Sequence, residues 1–196
     1  MIHPHTIVKY IDEEKGRGLF ATKRIPRGTI TWTIDQLDRV YSAAEIETYP
    51  PLYQEILMKY SFRNKLGEFV FCWDNGRFIN HSFDSNCCLT PYDFEISIRD
   101  IEEGEELTDD YGYLNIIEPF DAQPQGSERT TVYPDDLLSF SDYWDARLQL
   151  AFPRIWCCDQ PLLPFLIPEV TTAIEAIKKG DTELPSIKTC YYGGDK

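Results

Sequence analysis

The sequence predicts a mainly β fold that carries a short helical insertion and C-terminal α-helices. Three observations predict it. Up to Tyr113, short apolar or alternating runs are punctuated by glycine and proline, the texture of small strands joined by tight turns. Among them, Ser42-Ala43-Ala44-Glu45 has the form of a capping box and announces a helix. Beyond residue 136, apolar side chains recur at helical spacing.

Each element follows in order. Thr6 to Ile11 reads as a strand, Gly16-Arg17-Gly18 as a turn, Leu19 to Ala21 as a second strand, and Pro26-Arg27-Gly28 as another turn. Thr29 to Ile34 is β-branched with one aromatic. Leu52, Ile56 and Tyr60 lie four residues apart after Pro50-Pro51, so the insertion, placed at about 35–67, is helical. Glu68 to Trp73 is a strand, Asp74-Asn75-Gly76 a turn, and Arg77 to Ile79 and Cys87 to Tyr92 continue the β pattern. In Phe94 to Arg99, apolar Phe94, Ile96 and Ile98 alternate with Glu95, Ser97 and Arg99, as in a strand with one face toward water. Glu118 to Asp136, with three prolines and one glycine, reads as a linker. Leu137, Phe140, Trp144, Leu148 and Ala151 then form a helical stripe up to Pro153, and Val170, Ile174 and Ile177 a second one, opened by Pro168 and closed by Gly180.

Composition excludes several classes. The 196 residues carry a net charge of -14, which would repel a nucleic-acid backbone and favours a basic partner. Nine acidic residues against one basic lie between Asp93 and Asp110, either a solvated face or an attractor of cationic substrate. No apolar run is long enough to cross a bilayer, and Met-Ile-His-Pro-His has none of the features of a signal peptide, so an intracellular protein, of cytoplasm or nucleus, is expected. The six cysteines include the adjacent pairs Cys87-Cys88 and Cys157-Cys158, poorly placed for internal disulfides, and are read as reduced thiols.

Three segments stand out: Gly16-Arg17-Gly18-Leu19-Phe20-Ala21; Arg77-Phe78-Ile79-Asn80-His81-Ser82 with Asn86-Cys87; and Gly104-Glu105-Glu106-Leu107-Thr108-Asp109-Asp110-Tyr111-Gly112-Tyr113. Singly, each is an ordinary turn or core element. In this order and spacing, and with Ile98-Arg99-Asp100-Ile101 before the last, they resemble the SET domain of protein-lysine methyltransferases, over roughly residues 5 to 129. The resemblance implies small curved β-sheets in which the chain near Tyr111 threads a loop near Asn80 as a pseudoknot, and S-adenosylmethionine as methyl donor. It implies a SET domain at 1–117, a degenerate linker after it at 118–136, and a helical region at 137–196 packed on the domain.

The same resemblance implies the site. Gly16, Arg17, Gly18 and Leu19 would hold the donor, the glycines by letting the backbone come close. Asn80, which donates and accepts, would meet the methionine end, and His81 the adenine through its backbone. Tyr111 matches the catalytic tyrosine, its hydroxyl near the transferred methyl, and also touches the cofactor; Tyr113 would line the lysine channel, with Ile34 and Leu89 at two further channel positions. A desolvated aromatic channel beside a sulfonium disfavours the ammonium, so no dedicated base is needed.

One departure is plain. Family members often follow the last motif with three cysteines that hold zinc together with the one after the Asn-His pair. Here Pro119-Phe120-Asp121-Ala122-Gln123-Pro124-Gln125-Gly126-Ser127-Glu128-Arg129 keeps the frame without the thiols, so no metal is expected. The helical region would then wall the site, with Trp144, Phe152 and Trp156 as candidates, plain core packing being the expected role of any one of them. The expected partner is a basic, lysine-containing protein, a histone being one candidate; the alternative is a catalytically inactive SET-fold module that binds proteins.

Overall fold

A computed structural model of the chain describes residues 1–194; the last two residues of the predicted helical region, 195 and 196, lie outside the described residues. The strands are β1 (Thr6–Tyr10), β2 (Arg17–Ala21), β3 (Ile30–Thr33), β4 (Arg39–Tyr41), β5 (Ser61–Arg63), β6 (Phe69–Phe71), β7 (Asn80–His81), β8 (Cys87–Leu89), β9 (Phe94–Ser97), β10 (Glu106–Asp109), β11 (Phe120–Asp121) and β12 (Thr131–Val132). The α-helices are α1 (Ala43–Glu47), α2 (Pro51–Tyr60), α3 (Asp136–Ala151) and α4 (Pro168–Lys179). The content is mixed, 32% helical against 22% strand, so the expectation of a mainly β chain gives way to a β framework with a larger helical share. Short 3-10 segments beyond the two predicted C-terminal helices, such as Phe152–Cys157 and Ile187–Cys190, account for part of the excess.

Local chemistry places the helices where the sequence put them. Ser42 and Glu45 cap α1 reciprocally, Ser42 Oγ accepting from Glu45 N at 3.2 Å and Glu45 Oε2 accepting from Ser42 N at 2.8 Å. Pro168 occupies the first turn of α4, and Gly180 ends it at φ 77°, a left-handed conformation that glycine adopts without strain. The apolar stripe of α2 behaves otherwise: Leu52 and Ile56 are exposed, and the helix instead buries Leu57 against Tyr41, Ile46 and Phe69, a small core confined to the insertion. Arg77 to Ile79 is not a strand. Asp74 Oδ1 accepts from Gly76 N at 2.9 Å, and the chain turns through a 3-10 segment at Asn75–Phe78 before β7.

Three small sheets follow, in the orders β1-β2-β10-β7, β3-β9-β8 and β4-β6-β5. β10 is the hinge of the site: it runs antiparallel to β2 and parallel to β7, with Thr108 opposite Asn80 and Asp109 opposite His81. The predicted linker holds the short hairpin β11-β12. β9 lies between β3 and β8, and all four of its residues are buried. Glu95 therefore does not face water as the alternation suggests, because the second face of a central strand is covered as well.

One large core joins this second sheet to the C-terminal helices through Trp32, Phe94, Tyr113, Leu137, Trp144 and Leu148, and a smaller one unites Leu19, Ile25, Ile79, Cys87, Ile101 and Leu107. Fully burying a side chain of this size contributes about 1.5–3 kcal/mol, so α3 is tied firmly to the β framework. No helix among the described residues is long and apolar enough to cross a membrane.

Candidate active site

Parallel pairing of β7 with β10 and antiparallel pairing of β10 with β2 bring Gly18, Asn80, His81 and Tyr111 together from three distant parts of the chain. Asn80 Nδ2 donates to Arg17 O at 3.0 Å and to Glu106 Oε1 at 2.8 Å, while its Oδ1 accepts no hydrogen bond among the described residues. A Cβ on Gly18 would collide with Glu106 Oε1 and Ile11 Cδ1 and crowd Asn80 Nδ2. Gly18 is thus required by the side chains that cross it. Gly16, at φ 73°, has nothing within 4 Å of its would-be Cβ and supplies the turn itself. Arg17 is exposed, its carbonyl engaged by Asn80.

His81 accepts a hydrogen bond from Tyr111 N through Nδ1 at 3.1 Å, which assigns the proton of the neutral ring to Nε2. That Nε2 is buried without a hydrogen-bond partner. The ring stands edge-on to Phe83 and Phe120, with centroids 4.5 and 5.5 Å away. Burial, reinforced by the cation of Arg129, depresses its pKa from 6.5 to about 4, so the ring is neutral at neutral pH. Tyr111 donates its hydroxyl to Ile79 O at 2.6 Å. Burial and then the carboxyls of Asp109, Glu95 and Glu106 raise the Tyr111 pKa, so the phenol keeps its proton as a donor.

On the other side of Tyr111 opens a cavity of about 290 Å³, walled by the end of α2 and β5, by Trp32, and by the chain from Leu114 to Ile117. Asn115 fixes that last wall: its Nδ2 donates to Arg63 O at 3.2 Å and Cys190 O at 2.8 Å, and its Oδ1 accepts from Tyr192 N at 2.9 Å. Glu95 and Asp109 also line the cavity, and both are buried.

Several predicted site residues lie elsewhere. Tyr113 is fully buried, packs on Trp144 with ring centroids 5.4 Å apart, and donates its hydroxyl to Asp109 Oδ1 at 2.8 Å. It supports the floor of the cavity through Asp109 and is not among the residues that line it. Leu89 is a buried residue of β8 in the large core, Ile34 packs against that core, and neither lines the cavity. Leu19 is fully buried in the smaller core on the strand between β1 and β10, so its side chain is out of reach of any ligand. Trp144 and Phe152 are buried in the large core and Trp156 packs against it, and none of the three is among the residues that line the cavity.

Arg129 is the functional neighbour that sequence reasoning passed over. From the segment between β11 and β12 it forms ion pairs with Asp110, beside Tyr111, and with Asp136 at the start of α3. Its guanidinium sits 4.5 Å from the Phe83 ring and 4.4 Å from the Phe140 ring. Burial raises the Asp110 pKa, and Arg129 opposes that shift. This cluster ties the post-motif segment to the site. Cys87 and Cys88 are buried with pKa values pushed well up, and no group of three or more His, Cys, Asp or Glu among the described residues is placed to hold a metal.

The family comparison coincides with this geometry: the model described as the SET domain matches residues 16–112, from the first glycine of the turn to the glycine after Tyr111. No curated protein matches the chain.

Proposed function

The chain belongs to the SET-domain family, and from that premise we propose that it methylates the side-chain amine of lysine in a basic protein, with S-adenosylmethionine as donor. The observation that carries this reading is the position of Tyr111, whose hydroxyl is held on Ile79 O between the Asn80-His81 side and the cavity.

The residues fit the donor. His81 Nε2 is a buried N–H without a partner, of the kind an adenine ring nitrogen satisfies, and Asn80 Oδ1 is an acceptor suited to an ammonium. Asn80, His81, Tyr111 and the turn at Gly16 to Gly18 would hold the donor. When bound, the donor supplies an electrophilic methyl on a sulfonium. The chain's own part is positioning: the Tyr111 hydroxyl and the Ile79 carbonyl present oxygen at the edge of the cavity nearest Asn80 and His81, where a cationic methyl would be favoured. The cavity, lined by Trp32, Phe62 and Leu114 among others, would admit the aliphatic stem of lysine and exclude water. A net charge of -14 favours basic partners, histones among them, and an intracellular setting goes with this reading.

Calorimetric titration with S-adenosylmethionine, followed by mass spectrometry of histones and of a cell lysate incubated with donor, tests it. Saturable binding and a methyl increment on lysine are expected. Donor binding without any methylated lysine would favour a SET-fold interaction module instead, and absence of donor binding by the folded chain would overturn the reading.

A further inference from the structure

The cavity beside Tyr111 contains more buried polarity than the fold satisfies. Trp32 and Glu95 face each other across the β3-β9 ladder, so their side chains share one face, and both line the cavity. Trp32 Nε1 is buried without a hydrogen-bond partner, and the buried carboxyl of Glu95 has no protein donor, only the neighbouring carboxyl of Asp109. Ser61 Oγ, on the opposite wall, is likewise buried without a partner. Unpaired buried polar atoms are rare because each costs about 1–3 kcal/mol, so Trp32 Nε1 and Ser61 Oγ beside a buried carboxyl pair mark this lining as more polar than packing requires. Asp109 completes the floor. Its carboxyl shares a hydrogen bond with that of Glu95, and its Oδ1 is fixed by the Tyr113 hydroxyl.

We propose that Glu95 and Asp109 are the amine-recognising floor of this cavity, accepting the N–H groups of an incoming lysine ammonium and turning its nitrogen toward Tyr111. The assignment rests on the methyl-transfer reading for the identity of the amine, but the cation site itself does not depend on donor binding. The cavity also has cationic lining residues, and they are engaged away from the floor. Arg63 Nε donates to Asn115 O at 2.8 Å, Arg77 lies over the Phe78 ring at 5.3 Å, and Lys59 lies over the Tyr60 ring at 5.4 Å. The floor therefore faces no cation of its own among these.

Protonation agrees with this geometry. Burial, then the neighbouring Asp109, holds the Glu95 pKa well above the usual carboxylate range, and burial lifts that of Asp109 to about 6. The two carboxyls resist carrying two charges side by side, and an ammonium placed between them would favour their ionised form. The other titratable groups around the pair are Cys72, Cys87, Cys88, Asp110, Tyr111 and Tyr113, with the amino terminus of Met1 as the one cation acting on Glu95. The floor would select amines that keep N–H groups to donate.

The test uses the full chain and two probes, Nα-acetyl-lysine amide and its neutral counterpart Nα-acetyl-norleucine amide, with binding followed by NMR titration at pH 7. Wild type should prefer the ammonium by at least about tenfold, and Glu95→Gln should bring the two affinities within about threefold. Because Asp109→Asn loosens Tyr113 and can impair folding, a second readout is the ¹³C carboxyl titration of Asp109 in wild type, whose midpoint should fall when the ammonium probe binds. No preference in wild type, a preference unchanged in Glu95→Gln, or an Asp109 midpoint that ignores the probe would each overturn the proposal. If the preference and its loss are found while S-adenosylmethionine fails to bind, the floor stands and the methyl-transfer reading falls. If the donor binds and the floor fails, the reverse holds.

Discussion

The two sides of Tyr111 are built on opposite principles. On the Asn80-His81 side, short strands lock one another: Asn80 Nδ2 bridges Arg17 O and Glu106, Gly18 clears the way for them, and His81 Nδ1 holds the Tyr111 backbone. On the cavity side, Trp32 Nε1 and Ser61 Oγ are left without partners, and Glu95 has only the carboxyl of Asp109. The first side is held by hydrogen bonds among the motif residues themselves, with only His81 Nε2 and Asn80 Oδ1 left open, and its residue types are dictated by backbone geometry. The second tolerates unsatisfied atoms and so retains capacity for a ligand. Motif residues therefore make up the first side, whereas the cavity combines a few of them, Ile79, Asp109 and Tyr111, with residues outside any motif such as Trp32, Ser61 and Glu95.

That contrast can be broken at its support. Arg129 is the shared cation of Asp110 and Asp136, both buried, so Arg129→Met should leave two uncompensated carboxylates and lower stability by about 3–5 kcal/mol, read from urea denaturation. A loss under about 1 kcal/mol would mean that the cluster is better solvated than its burial implies. Next comes Tyr111→Phe, which removes the hydroxyl at the boundary of the two sides. Turnover should drop about a hundredfold or more, with the affinity for S-adenosylmethionine nearly unchanged. Equal losses in affinity and rate would place that hydroxyl in donor binding instead.

A smaller effect is expected at Gly18→Ala, whose Cβ must displace Glu106, Ile11 or Asn80. Overpacking of this kind costs about 1–3 kcal/mol, and donor affinity should fall with it. Gly16→Ala, strained by its positive φ but meeting nothing, should weaken donor binding less.

The smallest effect is on pH dependence. His81 accepts a proton only near pH 4 in the folded chain but at its ordinary 6.5 when unfolded, so between those values the unfolded state binds more protons. Stability from this group is complete above pH 6.5 and declines as the pH falls to about 4. Asp109 acts oppositely: its folded pKa near 6 exceeds the ordinary 3.8, so in that window the folded state binds more protons and acidification favours folding. Urea midpoints at pH 7 and pH 5 should therefore fall less in His81→Gln than in wild type, and more in Asp109→Asn.

Much of the fold was legible because its signals are local. The capping box at Ser42, the proline and glycine that bound α4, and the stripe of α3 each depend on backbone conformation within a few residues. The misreadings share a cause. Alternation at Glu95 was taken for a solvated face, Arg77 to Ile79 for a strand, and Tyr113 for a channel residue, and in each case the surroundings are set by distant segments.

By itself the sequence determined the strand and helix texture and the order of the three motifs, from Gly16-Arg17-Gly18 through Asn80-His81 to Tyr111, because turns, caps and periodicity are short-range consequences of residue type. Only the tertiary structure decided which residues face the cavity. It moved Tyr113, Leu89 and Leu19 into cores, packed Ile34 against one of them, buried Glu95 beside Asp109, and set Arg129 between Asp110 and Asp136. The physical reason is that burial and charge pairing are set by what packs across the sheets, here segments as far apart as β3 and β9, and no local pattern encodes that neighbour.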